Sequence, residues 1–391
     1  MKIKNLDKFP VNLPLAKVGY REEDKSSSVW ASGVPSIIIR VNTDEGISGL
    51  GEATTMTWYL GETQEGIMKL LESYEQLLIG EDPLNIVNAH RVMDRIKGTG
   101  VAGSPGCRSA RAAVDMALYD IIGKVQNRPV YEVLGGSYRT KFEMLTNLYE
   151  TTPEEKAKAC RESIREGFRG LKIKVGDLLL TKGWSMRNFK KEKDKLIAAL
   201  EAVPPDIYID ADANQSWRNA KIALNAVEEL LQSKYYPNLS LEQPLHYLDI
   251  SGHSFLRKSI KIPLILDESV LSPEAMVEIV KNEAADRIVL KLGRVGGFWL
   301  ACKIINIAEA SSIGISVDTM PFTRLGDTAN CHLAATIRDP YPVDAEGHLW
   351  FTADPFKGGI EIKKGRAILP KTPGLGIQLD EEVLRTIIKT E

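Results

Sequence analysis

The sequence predicts an α/β fold in which an α+β part precedes a parallel (β/α)₈-type barrel, and three observations carry that expectation. From Lys141 onward, short apolar runs alternate with helical stretches at regular spacing, as parallel βαβ units do. The strand candidates number eight within about 210 residues, close to the ~200–250 residues typical of such a barrel. Charged residues interrupt these runs at one relative point, the C-terminal end, where a barrel gathers its active site. A doubly wound sheet competes, but no Gly-rich phosphate turn follows any early strand.

The first sixty residues read as strands. Ser36–Val41 is β-branched, Asn42–Gly46 is a turn, and Ile47–Ala53 is its hairpin partner. Two segments interrupt this part. Leu15–Val34 is polar and aperiodic, with Tyr20, Arg21, Lys25 and Trp30, and reads as a lid or connector. The stretch from Thr54 to Glu62 is short and aromatic, with Trp58 and Tyr59. From Thr63 to about Gly123 the pattern turns helical, with apolar spacing at i, i+3, i+4 and i+7 across Ala110–Ile122.

In the barrel part the strand candidates are Phe142–Leu148, Leu171–Val175, Ile207–Asp212, Leu239–Glu242, Pro263–Asp267, Arg287–Lys291, Gly314–Asp318 and, more weakly marked, Pro342–Asp344. Helical stretches lie between them: Pro153–Glu166, Glu192–Ala202, Asn219–Gln232, Pro273–Asn282 and Phe298–Ser311. The tail from Ile360 reads as a strand pair and a short helix that return to the first domain. The expected division is a capping domain at 1–130, a barrel at 131–355 and the returning segment at 356–391.

Composition narrows the class. The chain has 391 residues, 43% hydrophobic and 26% charged, with a net charge of −2, which gives no electrostatic case for nucleic acid or an acidic membrane surface. Cys107, Cys160, Cys302 and Cys331 are scattered without a CxxC pair, so neither a disulfide framework nor a zinc site is indicated. No leader-like apolar core and no run of about 18 apolar residues is present, so a cytoplasmic protein without a membrane partner is expected.

The chemistry centres on Leu171-Lys172-Ile173-Lys174-Val175-Gly176. Residues i and i+2 of a strand share a face, so Lys172 and Lys174 point one way and their apolar neighbours the other. An exposed edge strand would also tolerate this pattern. The later strand ends favour an active site: Asp212, Glu242, Asp267 with Glu268, Lys291 and Asp318 recur one βα unit apart. Three carboxylates from consecutive strands would repel one another, and a hard divalent cation such as Mg²⁺ relieves that repulsion. The alternative for any one acid is a cap on the following helix. Gly293–Gly297 lacks both the Walker lysine-serine pair and GxGxxG spacing, so it is a poor phosphate loop. His332 sits in an apolar helix pattern and reads as packed, whereas His246 and His348 follow strand-end motifs and are candidates for the pocket lining.

The motifs LKIKVG (171–176), DADANQSW (210–217), LEQP (241–244), LDES (266–269) and LKLGRVGG (290–297) closely resemble the enolase superfamily, in particular its muconate lactonizing enzyme-like subgroup within the mandelate racemase/muconate lactonizing enzyme family. Gly51–Thr55 and Pro373–Ile377 resemble further segments of that family. The resemblance implies an N-terminal α+β capping domain over a modified TIM barrel, (β/α)₇β. It implies one Mg²⁺ per active site on Asp212, Glu242 and Asp267, with Mn²⁺ a substitute. Lys174 and Lys291 would be the acid/base groups on opposite faces of the substrate, with Lys172 in electrostatic support. Enolase-superfamily sites with a Lys base and Mg²⁺ on an ene-diolate are an established pattern.

Asn214 and Glu268 are placed beside the ligands, Glu268 as a partner for Lys291. A neighbouring Lys172 and a cation are expected to lower the pKa of Lys174. Tyr20, Trp30, Thr54, Trp58, Asp318, Thr319 and Asp344 are the candidates for substrate contact.

Departures from the family matter. Met320-Pro321-Phe322 stands where many members have Met-Leu-Glu, and Pro342-Val343-Asp344 supplies only one acid of the Asp-x-Asp pair that holds a substrate ammonium in dipeptide epimerases. The expected reaction is abstraction of the proton α to a carboxylate through an enediolate. Racemisation or epimerisation of a small carboxylic or amino acid derivative leads, with cycloisomerisation or dehydration as alternatives. A catalytically idle barrel used for binding or assembly is the rival from another class. The expected partners are a small-molecule carboxylate and further copies of the chain in a homo-oligomer.

Overall fold

The computed structural model describes residues 1–16, 33–55, 61–96, 108–233 and 236–388. Its first layer is an antiparallel sheet of β1 (Ile3–Leu13), β2 (Val34–Thr43) and β3 (Ser48–Thr54) in that order. Three helices cover it: α1 (Gln64–Leu78), α2 (Ile86–Met93) and α3 (Arg108–Val125). Thr63 caps α1 and Asn85 caps α2, each through its side chain.

Helix α3 is buried on every side between this sheet and the barrel, which explains its alanine-rich composition. It also explains two glycines of β3. A Cβ on Gly49 or Gly51 would lie 1.9 Å from the carbonyl oxygen of Ala117 or Ala113, so only glycine admits the helix this close.

The second layer is a parallel sheet of seven strands: β5 (Leu145–Leu148), β6 (Gly170–Lys174), β7 (Tyr208–Asp212), β8 (Leu239–Glu242), β9 (Leu264–Leu266), β10 (Arg287–Leu290) and β11 (Gly314–Val317), paired in chain order. Helices follow the strands: α4 (Pro153–Glu166), α5 (Met186–Ala202), α6 (Ala220–Ser233), α7 (Ile250–Ser259), α8 (Pro273–Lys281), α9 (Phe298–Ala310) and α10 (Arg324–Ala334). This is the expected capping domain and modified barrel.

Two strand expectations change. Phe142–Leu148 is not one strand: β4 (Lys141–Glu143) pairs with Arg366–Ile368 in a separate sheet, and the chain turns at Met144 to begin β5. The weakly marked eighth strand is a seam rather than a ladder. It bridges Ile315 through Pro340 and Met144 through Val343, with Asp344 N on Val317 O at 3.1 Å and Leu145 N on Val343 O at 3.0 Å. This segment closes the barrel between β11 and β5.

The tail divides its contacts. Glu361–Lys363 and Arg366–Ile368 form a hairpin on β4, whereas helix α11 (Glu381–Ile387) ends in a bridge from Ile388 to Val11 of β1. Cys160, Cys302 and Cys331 are free thiols, and Cys107 lies outside the described residues. Among the described residues no helix is long and apolar enough to cross a membrane.

Cap and barrel are joined by carboxylates. Glu52 of β3, fully buried, accepts from Thr323 N at 2.9 Å, Thr323 Oγ1 at 2.7 Å and Gly326 N at 3.1 Å, and so caps α10 across the domain joint. Burial pushes the Glu52 carboxyl up to about 8 despite those bonds, and nearby Asp354 and Asp327 add to the rise. A carboxyl with a raised folded-state pKa binds its proton more tightly in the native than in the unfolded chain. Its contribution to stability is therefore full below about 4.5 and falls as pH rises towards about 8. Urea unfolding across that window should show less loss of stability for Glu52→Gln than for the parent. Glu52→Ala, which strands the cap donors, should cost about 1–3 kcal/mol below about pH 4.5, a cost that shrinks as pH rises.

Candidate active site

Sheet pairing sets the site's geometry. β6 lies between β5 and β7, so the edge-strand alternative for its two lysines is excluded. In the parallel register Lys172 pairs with Asp210, Lys174 with Asp212, and Asp212 with Glu242, which aligns charges of opposite and like sign at neighbouring strand ends.

Lys172 is 2% exposed. Its Nζ donates to Glu242 Oε2 at 2.8 Å, Glu242 Oε1 at 2.9 Å and Asp318 Oδ2 at 2.8 Å, and lies 3.3 Å from Asp210 Oδ2. Burial alone would lower its pKa, but Asp318, Glu242 and Asp210 reverse the sign and hold it well above the lysine range. Asp318, expected at the mouth, is thus a partner of Lys172.

Lys174 Nζ donates to Asp212 Oδ2 at 2.6 Å and to Asn214 Oδ1 at 3.3 Å. Burial and Lys172 push its pKa down, Lys172 in the direction expected, but the Asp212 charge outweighs them and the net shift is upward. The further lowering expected belongs to the cation-bound site.

The opposite side repeats the design. Lys291 Nζ donates to Asp267 Oδ2 at 2.7 Å, and Arg294 Nη1 donates to Asp267 Oδ1. Burial works against the Asp267 carboxylate, yet Arg294 and Lys291 hold it far below the usual range. Asn214 Nδ2 donates to Glu268 Oε1 at 3.3 Å, and the Lys291 charge acts on the same carboxyl. Burial, then the charges of Asp267 and Asp212, push the Glu268 carboxyl up to about 7. Asn214 takes a left-handed conformation, which asparagine tolerates, and its N donates to Asp212 Oδ1 at 2.9 Å.

Asp212, Glu242 and Asp267 are all buried and supply only oxygen, from consecutive strands. Among the described residues no three such groups already enclose one point, because ammonium and guanidinium groups stand on the carboxylates. Cations are therefore what these oxygens already bind. The donor set fits a hard divalent ion of the Mg²⁺ kind, with the lysines displaced from the acids.

The seventh and eighth strand ends form an acidic flank. Asn147 Nδ2 donates to Asp344 Oδ2 at 2.8 Å and Glu346 Oε1 at 3.0 Å, and Thr146 Oγ1 donates to Glu346 Oε2 at 2.7 Å. The expectation of a lone acid here is corrected: Asp344 and Glu346 form an acid-x-acid pair, two residues further along than the sequence suggested. Asp318 Oδ1 and Asp344 Oδ1 are both buried without a hydrogen bond.

Two substrate-contact candidates are committed elsewhere. The Thr319 hydroxyl has Asp327 and Met320 O as acceptors for its one proton, and the Thr54 hydroxyl donates to Pro321 O at 3.2 Å. Tyr20, Trp30 and Trp58, with Arg21, Lys25 and Tyr59, lie outside the described residues. His348 is buried on Asp327, at 2.8 Å from Nδ1 to Oδ2, and His246 is exposed. His332 is packed as expected, and burial lowers its pKa to about 4. Phe322 is fully buried.

Sequence reasoning missed Asp210, Arg294, Asn147 and Glu346. Asp210 had a signal, since it precedes Asp212 by the same two residues that separate Lys172 from Lys174. Arg294 had none: its guanidinium reaches Asp267 only because Val270 O at 3.1 Å and Val289 O at 2.8 Å accept its other protons.

Residues 155–383 match the profile of the enolase C-terminal domain-like family, and residues 28–135 match the mandelate racemase / muconate lactonizing enzyme N-terminal domain. The chain belongs to the mandelate racemase/muconate lactonizing enzyme family of the enolase superfamily, and it is an isomerase or lyase of that superfamily.

It is 33% identical to the N-succinyl-L-Arg/Lys racemase of Bacillus cereus, over 99% of this chain and 98% of the relative. It is 31% identical to the hydrophobic dipeptide epimerase of Enterococcus faecalis, over 96% of this chain and 99% of that protein. The crystal structure of the Bacillus cereus racemase superposes with a TM-score of 0.87, covering 100% of this chain and 99% of that one at 31% identity. That of the Enterococcus faecalis epimerase, complexed with Mg and the dipeptide L-Leu-L-Tyr, superposes with a TM-score of 0.83 at 30% identity, covering 97% and 100%.

Arg294→Met should expose the cost of this buried charge cluster. It leaves Asp267 with one cation and two carbonyls without donors, and urea unfolding should show a loss of about 3–5 kcal/mol.

Proposed function

We propose that this enzyme racemises or epimerises a small carboxylic acid carrying a cationic group, with Lys174 and Lys291 as the two proton-transfer groups. The observation that carries the reading is their opposition. Lys174 ends β6 and Lys291 follows β10, four positions apart in the sheet order, and four again through the seam. A substrate held between them presents one face of its α-carbon to each amine.

Asp212, Glu242 and Asp267 are the residues to hold Mg²⁺, one ion per site, with Mn²⁺ as substitute. When bound, the ion supplies positive charge beside the substrate carboxylate as a second negative charge develops there. The chain's own residues do the rest. Lys174 Nζ, once it has left Asp212 and given up its own proton, takes the α-proton from one face, and protonated Lys291 Nζ delivers a proton to the other. For the opposite isomer the roles reverse. Lys172, surrounded by acids, stays protonated as a fixed charge. Asn214 orients Asp212 and bonds Glu268.

The cationic group follows from the acidic flank. Asp318 and Asp344 each keep a buried oxygen without a partner. Burial, then Glu346 and Asp318, push the Asp344 carboxyl well up, so a substrate cation would relieve an excess of buried acid. Two relatives support this, since N-succinylated arginine or lysine and dipeptides each carry one positive group. Relatives also include the chloromuconate cycloisomerase of Cupriavidus pinatubonensis and the cis-3-hydroxy-L-proline dehydratase of Roseibium aggregatum. Opposed lysines favour proton exchange at one carbon over either of those outcomes. We place the cap at residues 1–130, the barrel at 131–355 and the returning tail at 356–391, and the protein in the cytoplasm as a homo-oligomer.

Asp212→Asn, Glu242→Gln and Asp267→Asn should each abolish turnover in folded protein. EDTA should inactivate the parent and Mg²⁺ restore it, and full activity in metal-stripped protein would overturn the assignment.

Proton exchange tests the two bases. In D₂O, NMR should show that Lys291→Ala still exchanges the α-proton of one isomer without converting it, and that Lys174→Ala exchanges the other. Net racemisation should fall by about 10²–10⁴-fold in each. Nα-acyl-lysine or a dipeptide should exchange faster than its neutral isostere. A single mutant that exchanges both isomers equally would refute the opposed geometry.

A further inference from the structure

Helix α9, which follows Lys291, brings no cap of its own. Its N-cap is Gly297, without a side chain, and the first free N–H groups are met from the other domain. Asp115 of α3, fully buried, accepts from Phe298 N at 2.5 Å through Oδ1 and from Trp299 N at 3.3 Å through Oδ2.

The two glycines once suggestive of a phosphate loop serve this contact. Gly297 has φ of +100°, and a Cβ there would come within 2.4–2.5 Å of the Asp115 side chain. Gly296 has φ of +93°, with Arg111 of α3 3.3 Å from its would-be Cβ.

Asp115 is itself held. His90 Nε2 lies 2.8 Å from Asp115 Oδ2, and His90 Nδ1 lies 3.2 Å from Arg111 Nη1. Arginine only donates, so Nδ1 accepts and Nε2 carries the proton given to Asp115.

From Gly297 back to Lys291 the chain is one closed turn. Gly296 N and Gly297 N both donate to Leu292 O at 3.0 Å, and Arg294 N donates to Lys291 O at 3.0 Å. The Arg294 guanidinium then fixes the turn to Asp267. A continuous path of hydrogen bonds therefore runs from the cap's α3, through the start of α9, to the lysine at the end of β10.

We infer that Asp115, braced by His90, is a positioning residue for Lys291: the cap sets this lysine's place over the substrate by capping α9. The inference rests on the two-lysine reading. It goes beyond that reading in giving the two faces of the site different supports. Lys174 is held within the barrel by Asp212 and Asn214; Lys291 is held there by Asp267 and, in addition, takes a backbone support from the cap through the start of α9.

The test is face-resolved proton exchange by NMR in D₂O with Asp115→Asn, which keeps the shape but turns an acceptor into a donor. Exchange of the isomer that depends on Lys291, defined as the one Lys291→Ala stops exchanging, should fall about 10–100-fold, as expected for a displaced catalytic group. The isomer served by Lys174 should change by less than about 3-fold, within the cost of general loosening.

His90→Gln removes only the brace and should give the same skew at about 2–5-fold, so it decides the matter if Asp115→Asn does not fold. Equal loss for both isomers would make Asp115 a purely structural cap and overturn the inference, as would no loss for either. If Lys291→Ala leaves both isomers exchanging, the two-base reading fails, and this role for Asp115 fails with it.

Discussion

One ammonium group, Nζ of Lys172, ties together the ends of four barrel strands. It starts on β6 and meets Asp210 on β7, Glu242 on β8 and Asp318 just beyond β11. Each of these acids is buried at a cost that only a cation at contact distance offsets. Sheet register delivers the cation, because parallel pairing sets Lys172 opposite Asp210 and the next pair, Lys174 and Asp212, one step further along the same face. The acids that surround the mouth are therefore admissible only because β6 carries two lysines two residues apart. Their spacing is a packing constraint before it is a chemical one.

The cap is fastened to this barrel by directional bonds as well as apolar contact. Glu52 meets the first turn of α10 and Asp115 meets that of α9. A carboxyl group that accepts from the N–H groups of a helix's first turn fixes an angle that oily surfaces alone leave loose. Both capped helices follow strand ends that bear charge, Lys291 and Asp318. The cap thus contacts the chemistry through backbone, beneath whatever its loops do at the substrate.

Much of this was legible in the sequence, and the physical reason is period. Period-2 alternation located β6, and charged breaks at strand ends located Asp212, Glu242, Asp267 and Lys291. Pro153–Glu166 and Leu239–Glu242 fall as expected to the residue. What escaped depends on distance across the fold. Nothing local marks Asp115, in the middle of an alanine-rich helix, as the cap of another domain's helix. Nor does anything local mark Arg294 as the second cation on Asp267. Phe142–Leu148 looks like one strand, and only the hairpin at 361–368 shows why it must break at Met144. Glu346 was passed over because the eighth segment has too little strand character to fix its register from pattern.

That weak eighth segment has a consequence for how such a protein changes over generations. Seven strands are locked by continuous ladders, so an inserted or deleted residue in any of them would rotate charges out of the mouth. The seam is held by isolated bridges at Pro340 and Val343 and by a few backbone bonds, yet it carries Asp344 and Glu346 to the hydrogen bonds of Asn147 at the end of β5. Residues there can be exchanged, or shifted by two, without disturbing the register of the ladder that bears the lysines and acids. The barrel's most permissive strand thus carries the acidic flank, so that flank can change while the register that sets the lysines and acids stays in place.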